Sequence, residues 1–283
     1  MNKHGWNSLL LQVKKLVKIY GEQCPYCLEL TGPQANTQVC PRCGSVVACG
    51  GISLELYEGE ILGIVGESGS GKSTLVRCLY FDETATEGEA YLSSYEQAKV
   101  NILQESGQRQ RYLRNHLMGM VYQNPQLGLN FDFSCGGNIA EKLLAADVRH
   151  VGRIREQAAH LLAQTEVPVE RMDELPAHFS GGMQQRVQIA KALAHNPPLL
   201  LLDEVTTGLD VSVQARVLDL IKQLQRRLGI AMIVVSHDLG VIRLLADRTA
   251  VMKNGHVVEI GLTDQILEDP RHPYTQLLVN SLL

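Results

Sequence analysis

This 283-residue sequence predicts an α/β fold built on a largely parallel sheet, and three observations carry that expectation. The apolar run Ile61–Val65 leads directly into Gly66-Glu67-Ser68-Gly69-Ser70-Gly71-Lys72-Ser73-Thr74, a glycine-rich loop between a strand and a helix. Leu199, Leu200, Leu201 and Leu202 form a second apolar run that ends in Asp203-Glu204, the composition of a strand buried on both faces. From there strand-like and helix-like segments alternate over 199–203, 212–228, 231–235 and 238–245, as parallel strands joined by helices require.

The remaining elements follow in order. Residues 9–20 and 52–57 alternate apolar and polar like antiparallel strands ahead of the 61–65 strand. A helix over 72–79, a short strand near 89–92, an Arg- and Gln-rich helix over 104–117 and a strand over 118–122 come next. Residues 124–180 read as a helical subdomain, with helices near 138–147 and 154–166. A further helix opens at Ser180 and runs to about His195. Residues 181–283 supply the rest of the core, a β-tail and helices at 264–268 and 274–282. There is no internal repeat, so 1–283 reads as one domain.

The glycine-rich loop has the spacing G-x-x-x-x-G-K-S of a phosphate-binding P-loop. Gly66, Gly69 and Gly71 let the backbone curl until successive N–H groups point at one anion, and the following helix adds its positive N-terminal dipole. Lys72 can reach β- and γ-phosphates, and the Ser73 hydroxyl can ligate Mg²⁺. An apolar strand ending in two acids is common by itself. Coupled to a P-loop, Asp203 becomes a holder of Mg²⁺ through water and Glu204 the group that polarises the attacking water. Ser180 is a sound helix N-cap, and Gly181 and Gly182 let a phosphate approach that helix end closely. Two phosphate-facing helix ends cannot easily serve one nucleotide within one chain.

Ser180-Gly181-Gly182-Met183, with Phe179 before and Gln184-Gln185-Arg186 after, resembles the signature loop Leu-Ser-Gly-Gly-Gln of the ATP-binding cassette (ABC) family. Other matches fall in the family's order: Tyr20 as adenine-stacking aromatic, Gln123 as Q-loop glutamine, Leu209-Asp210 as D-loop and His237 as switch histidine. Singly, Tyr20 and His237 also suit strand ends and Gln123 a turn before Asn124-Pro125; their joint order carries the resemblance, which covers nearly the whole chain outside 21–50. It implies an ABC nucleotide-binding domain: a RecA-like core, an antiparallel β-subdomain and a helical subdomain. It implies an ATPase, with Lys72, Gln123, Glu204 and His237 at the reaction and Mg²⁺ held by Ser73, Gln123 and Asp203. The residues holding ATP would be Tyr20, Gly66 to Thr74, Gln123 and Asp203, with Ser180 to Met183 supplied across a homodimer or a heterodimer with a related ABC subunit. Val205 departs from the family pattern, standing where a proline usually follows the glutamate.

Within the family, Asp210 to Ala215, Asn254 to Glu259 and Arg271 to Leu278 resemble two groups. These are the ATPases of oligopeptide and nickel importers, and the ATP-binding subunits of the phosphonate carbon–phosphorus lyase system. Cys135 to Leu144, Phe179 to Arg186 and His237 to Arg248 favour the second group. So does the chain's stop soon after Gln276, where importer subunits of this group usually continue. The partner so implied is the carbon–phosphorus lyase core complex; the alternative is a membrane permease importing oligopeptide, nickel or phosphonate.

Residues 21–50 lie outside the family pattern and contain Cys24-Pro25-Tyr26-Cys27, twelve residues, then Cys40-Pro41-Arg42-Cys43-Gly44. Two C-x-x-C pairs set four thiolates on two tight turns, the spacing of a tetrahedral Cys₄ site. The insertion therefore reads as a zinc-knuckle-like unit holding structural Zn²⁺ on Cys24, Cys27, Cys40 and Cys43, with an iron–sulfur cluster or redox dithiols as alternatives and Cys49 as an extra ligand in reserve. Its role is either passive bracing of a long loop or a docking surface beside the nucleotide's base. Cys78 and Cys135 read as ordinary packed or surface thiols.

Composition bounds the rest. A formal charge of −4 supplies no basic field to recruit nucleic acid. No apolar run approaches the ~20 residues that cross a bilayer, and Lys3 and His4 begin no signal peptide. A cytoplasmic protein is expected, and with it no disulfide framework.

Overall fold

The computed structural model describes residues 8–281. The first part of the chain forms β1 (Leu9–Tyr20), β2 (Val46–Tyr57), β3 (Ile61–Val65), α1 (Lys72–Leu79) and β4 (Glu87–Leu92). Then come α2 (Gly107–His116), β5 (Met118–Val121), α3 (Pro125–Gly128), α4 (Cys135–Ala145), α5 (Val151–Gln164) and α6 (Gly181–Ala192). The last part holds β6 (Leu199–Asp203), α7 (Val211–Leu228), β7 (Ala231–Val235), α8 (Leu239–Leu245), β8 (Arg248–Lys253), β9 (His256–Leu262), α9 (Thr263–Glu268) and α10 (Pro273–Asn280). These pack as two compact units, one of residues up to Gln110 and from Ala231 onward, the other of Arg111–Ile230.

In the first unit β1 is the centre of an antiparallel sheet ordered β2-β1-β4. Its alternation buries Leu11, Val13 and Leu16 against Leu54, Leu56 and Leu92. A second layer has β3 at its heart, all five residues buried, paired in parallel with β7 and β8, while β9 closes the edge antiparallel to β8. The entry to β3 is fixed by charge. The Asp247 carboxylate accepts the Ile61 N–H at 2.8 Å, and Arg248 pairs with the fully buried Glu60 at 3.0 Å. Burial holds the Glu60 carboxyl above its ordinary range despite that partner.

The second unit pairs β5 with β6 in parallel and packs α3 to α7 around its own core. Each of its longer helices has a capped start. Ser134 Oγ accepts the Gly137 N–H, His150 Nδ1 the Arg153 N–H, and the Asp210 carboxylate the Val213 N–H.

Several boundaries differ from those read in the sequence: α2 is Gly107–His116 rather than 104–117, α5 is Val151–Gln164 rather than 154–166, and β4 starts at Glu87 rather than 89. The insertion was expected over 21–50, but Val46 to Gly50 already belong to β2. Val17 faces Gly50 and Leu16 faces Ile52, so Gly51 is the extra residue of a β-bulge with φ +89°. Helix α4 starts at Cys135 rather than 138, because the Ser134 cap compensates for two glycines in its first turn. The helix expected to reach His195 stops at Ala192. Residue 282 of the helix expected at 274–282, like Lys3 and His4, lies outside the described residues.

Candidate active site

In the first unit the P-loop leaves the buried end of β3. Gly66 and Gly71 are there because nothing larger fits. A Cβ on Gly66 would lie 2.1 Å from the Met252 carbonyl oxygen, and one on Gly71 2.0 Å from that of Ala48. The Lys72 ammonium, only 4% exposed, donates to the carbonyls of Gly66 and Glu67, each at 2.8 Å, and to Ser70 Oγ at 3.4 Å. A cation is thus held inside the curl of the loop, with the N-terminus of α1 opening from Gly71.

Tyr20 ends β1, where its hydroxyl is hydrogen-bonded to Thr74 and the Lys18 ammonium lies 4.6 Å from its ring centre. The ring is 38% exposed, so a flat face stands beside the P-loop helix. His237 follows β7, whose neighbour is β3, and the Ser236 N–H donates to the Ile64 carbonyl at 3.1 Å. The P-loop and His237 therefore leave the C-terminal ends of two adjacent parallel strands. One contact was invisible in the sequence: the Glu67 N–H donates to the hydroxyl of Tyr274 in α10 at 3.2 Å, tying the C-terminal helix to the loop.

In the second unit Asp203 is the buried last residue of β6, and Glu204 follows with φ +47°, a left-handed conformation rare for a non-glycine residue. The Glu204 carboxylate accepts from Gln123 Nε2 and from Thr207 Oγ1, both at 3.2 Å. Two predicted residues 81 positions apart are thus in contact. Val205, 2% exposed, leaves the turn closed, since the Thr207 N–H donates to the Glu204 carbonyl at 3.1 Å.

Ser180 caps α6, its hydroxyl accepting the Met183 N–H. Gly182 is required where α6 meets α7, for a Cβ would lie 2.3 Å from Val213 Cγ1. Ahead of the cap, Arg171 stacks on Phe179 at 4.2 Å and grips Glu174 through two hydrogen bonds of 2.8 and 2.7 Å. The Asp210 carboxyl, held by the Val213 N–H and the Ser212 hydroxyl, sits below the usual carboxylate range.

Sequence reasoning missed Gln185 and Gln188 on α6. Gln188 is 1% exposed; its oxygen accepts the Tyr122 N–H at 2.6 Å and its nitrogen donates to the Tyr122 carbonyl at 3.1 Å. Gln185 donates to the Gln123 carbonyl at 3.0 Å, so the signature helix clamps the backbone that presents Gln123. Replacing Gln188 by Leu takes the acceptor from the Tyr122 N–H and leaves the Tyr122 carbonyl with Gln185 Nε2 alone, at 3.3 Å. We expect Gln188→Leu to lose about 1–3 kcal/mol, read as a lower thermal midpoint, with turnover falling further than nucleotide affinity. An unchanged midpoint would show that the clamp is dispensable.

The four cysteines of the insertion converge. Their sulfurs all lie within 4.8 Å of one another, with Cys24–Cys27 at 3.6 Å, Cys24–Cys40 at 3.7 Å and Cys27–Cys43 at 3.5 Å. Four thiolates around an ion at about 2.3 Å stand about 3.8 Å apart, so the residues fit a tetrahedral metal. Cys27 and Cys40 are buried with Val17, Ile19 and Val47, while Cys43 faces solvent. Hydrogen bonds with Ser45 bring the Cys43 thiol down to about 6, towards the thiolate that metals bind. Arg42 stacks on Tyr26 at 4.1 Å and ties the two turns together. Cys49, expected as a reserve ligand, belongs elsewhere: it is buried in β2 with its thiol 3.9 Å from the Gly71 carbonyl, and burial raises its pKa. Cys78 and Cys135 are buried free thiols.

A model of the family "ABC transporter" matches residues 49–207, and one of the "oligopeptide/dipeptide transporter, C-terminal region" matches residues 258–283. The chain is 53% identical over 232 residues to the putative phosphonates utilization ATP-binding protein PhnK of Escherichia coli K12, covering 82% of this chain and 90% of that protein. It is 40% identical to the oligopeptide transport ATP-binding protein OppD of Bacillus subtilis 168, over 84% of this chain and 67% of that one. Among solved structures, the ATP-binding cassette MJ0796 in a dimeric post-hydrolysis state with ADP and Pi superimposes with a TM-score of 0.74. It is 27% identical, and the match covers 90% of this chain and 99% of that one. Among the described residues no helix is long and apolar enough to cross a membrane. On these matches, which embrace the P-loop and the Asp203-Glu204 strand end alike, the chain belongs to the ABC transporter family of ATPases.

Proposed function

We propose that this ABC ATPase serves phosphonate degradation: as a cytoplasmic dimer it docks on a carbon–phosphorus lyase core complex and drives conformational change there. The observation that carries this reading is the 53% identity to a phosphonates utilization protein across 90% of that protein's length, against 40% identity over 67% of the oligopeptide subunit. In this reading Tyr20 stacks on adenine while the Gly66–Thr74 backbone and Lys72 hold the phosphates. Mg²⁺, a hard cation that prefers oxygen ligands, would be held by Ser73, Gln123 and Asp203. Glu204 aligns the attacking water, His237 contacts the γ-phosphate, and Ser180, Gly181, Gly182 and Met183 of a second subunit close over the nucleotide. Gln123 passes the change to the helical segment 124–180. The four cysteines hold a structural zinc ion.

A second reading, an importer motor seated on a membrane permease, rests on the oligopeptide/dipeptide transporter match at residues 258–283. Affinity capture of the tagged protein from phosphate-starved native cells, with a non-hydrolysable ATP analogue and mass spectrometry, separates the two. Soluble lyase-core subunits are the expected catch; polytopic permease subunits in their place would overturn the first reading.

A further inference from the structure

The insertion is built into the wall of the P-loop. Its second arm runs without a break into β2: the Cys40 N–H donates to the Ser45 carbonyl at 2.8 Å, and the Val47 N–H to the Gln38 carbonyl at 2.8 Å. One residue further on, the Ala48 carbonyl occupies the space that a side chain on Gly71 would need, so β2 presses directly on the last glycine of the loop. Gly50 continues the contact, donating to the Gly255 carbonyl at 2.8 Å, while the Gly255 N–H donates to the Ser70 carbonyl at 3.0 Å. Ser70 and Gly71 are therefore held from β2 and from the β8–β9 turn together.

His256 joins that turn to the insertion. Its imidazole fills the space over two glycines: a Cβ on Gly50 would lie 2.3 Å from His256 Cε1, and one on Gly32, inside the insertion, 2.9 Å from it. The ring is oriented by Nδ1 and the Asn254 carbonyl at 3.0 Å. A third connection reaches the base side. The Cys43 sulfur lies 3.3 Å from Ser45 Oγ, Ser45 Oγ donates to the Glu22 carbonyl at 2.6 Å, and Val46 faces Tyr20 in the β1–β2 ladder. One four-sulfur cluster thus fixes the backbone beside Tyr20, the wall behind Gly71 and, through His256, the turn that holds Ser70.

We infer that metal at Cys24, Cys27, Cys40 and Cys43 controls nucleotide affinity, with His256 as the positioning residue that relays its presence to the P-loop. This rests on the reading of the cluster as a metal site and adds a regulatory consequence to it. A bare loop of this length has little core to define Gly32 or the start of β2, whereas a cross-linked one holds both in a single arrangement. The ion therefore favours the P-loop conformation that accepts phosphate, which is a coupling free energy between two separate sites.

The test compares zinc-loaded, metal-stripped and His256→Ala protein, using zinc content by mass spectrometry and the dissociation constant of a fluorescent ADP analogue. Stripping is expected to weaken ADP binding by about 5- to 150-fold, the usual range of coupling between sites. His256→Ala is expected to keep one zinc per chain yet bind ADP nearly as weakly as the stripped protein. If the chain takes up no metal, the metal reading fails and the inference with it. If it takes up one zinc per chain and loaded and stripped protein bind ADP equally, the inference alone is overturned. Should stripped protein aggregate, zinc-loaded His256→Ala decides the matter: wild-type ADP affinity in that variant overturns the relay.

Discussion

Glu204→Gln is expected to bind ATP with near wild-type affinity, to accumulate as a nucleotide-bound dimer and to turn over about 10²- to 10⁴-fold more slowly, the range assigned to a positioned general base. The geometry explains why such a small change should act so selectively. The Glu204 carboxylate takes hydrogen bonds from Gln123 Nε2 and Thr207 Oγ1 on the same oxygen, and both donors can be satisfied equally by an amide oxygen. The left-handed backbone at φ +47° is set by the closed turn to Thr207 and survives the substitution. Shape, hydrogen bonding and burial of the neighbouring Asp203 are retained, while the negative charge proposed to polarise water is lost. Single-turnover hydrolysis and light scattering in ATP would read the two consequences separately. Wild-type turnover would remove Glu204 from its assigned role, and slow turnover without dimer accumulation would separate the chemistry from the closing of the dimer.

What could be read in the sequence was whatever the chemistry keeps contiguous. The P-loop needs its backbone N–H groups, lysine and hydroxyl within nine residues, so Gly66 to Thr74 declared themselves, and so did the buried strand ending at Asp203. The two C-x-x-C turns were legible for the same reason, each tight turn fixing two sulfurs. Contacts over long separations were legible only through resemblance, as with Gln123 and Glu204. Gln185 and Gln188 were passed over, because a glutamine in a helix reads as solvated. The signal available was their setting beside Val187, Ile189 and Ala190, near-consecutive apolar residues that leave this stretch of helix no exposed side. Two glycine pairs lie inside regular elements. At Gly50-Gly51 glycine marks a bulge and a seat for His256 rather than the end of a strand, and at Gly136-Gly137 it lies inside a capped helix. In each case a tertiary contact overrode the local preference for a turn.

Cys40→Ser is expected to release the insertion from the rest of the unit. Residues 21–45 bury few apolar side chains: the cluster there comprises Val17, Ile19 and Val47 of the sheet, the sulfurs of Cys27 and Cys40, and partly buried Cys24 and Leu30. Apolar burial on that scale is small beside the conformational entropy lost when the insertion is ordered. An ion bound by four thiolates contributes about 10–16 kcal/mol in small zinc-dependent folds, the largest single stabilising term such a loop could have. Removing one ligand that is 1% exposed both weakens the ion and leaves a buried hydroxyl among sulfurs. Hydrogen exchange should show the loss locally. The amides of Cys40 and Gly44, which donate to the Ser45 and Cys40 carbonyls at 2.8 and 2.9 Å, should exchange at least about a thousandfold faster. Those of β3, buried between β7 and β8, should keep their protection, because β1 and β2 remain paired from Leu9 opposite Tyr57 to Leu16 opposite Ile52 without help from the insertion. Equal protection in Cys40→Ser, with its zinc content shown to be nil, would mean that the sheet alone orders these turns and that the metal contributes nothing to the fold.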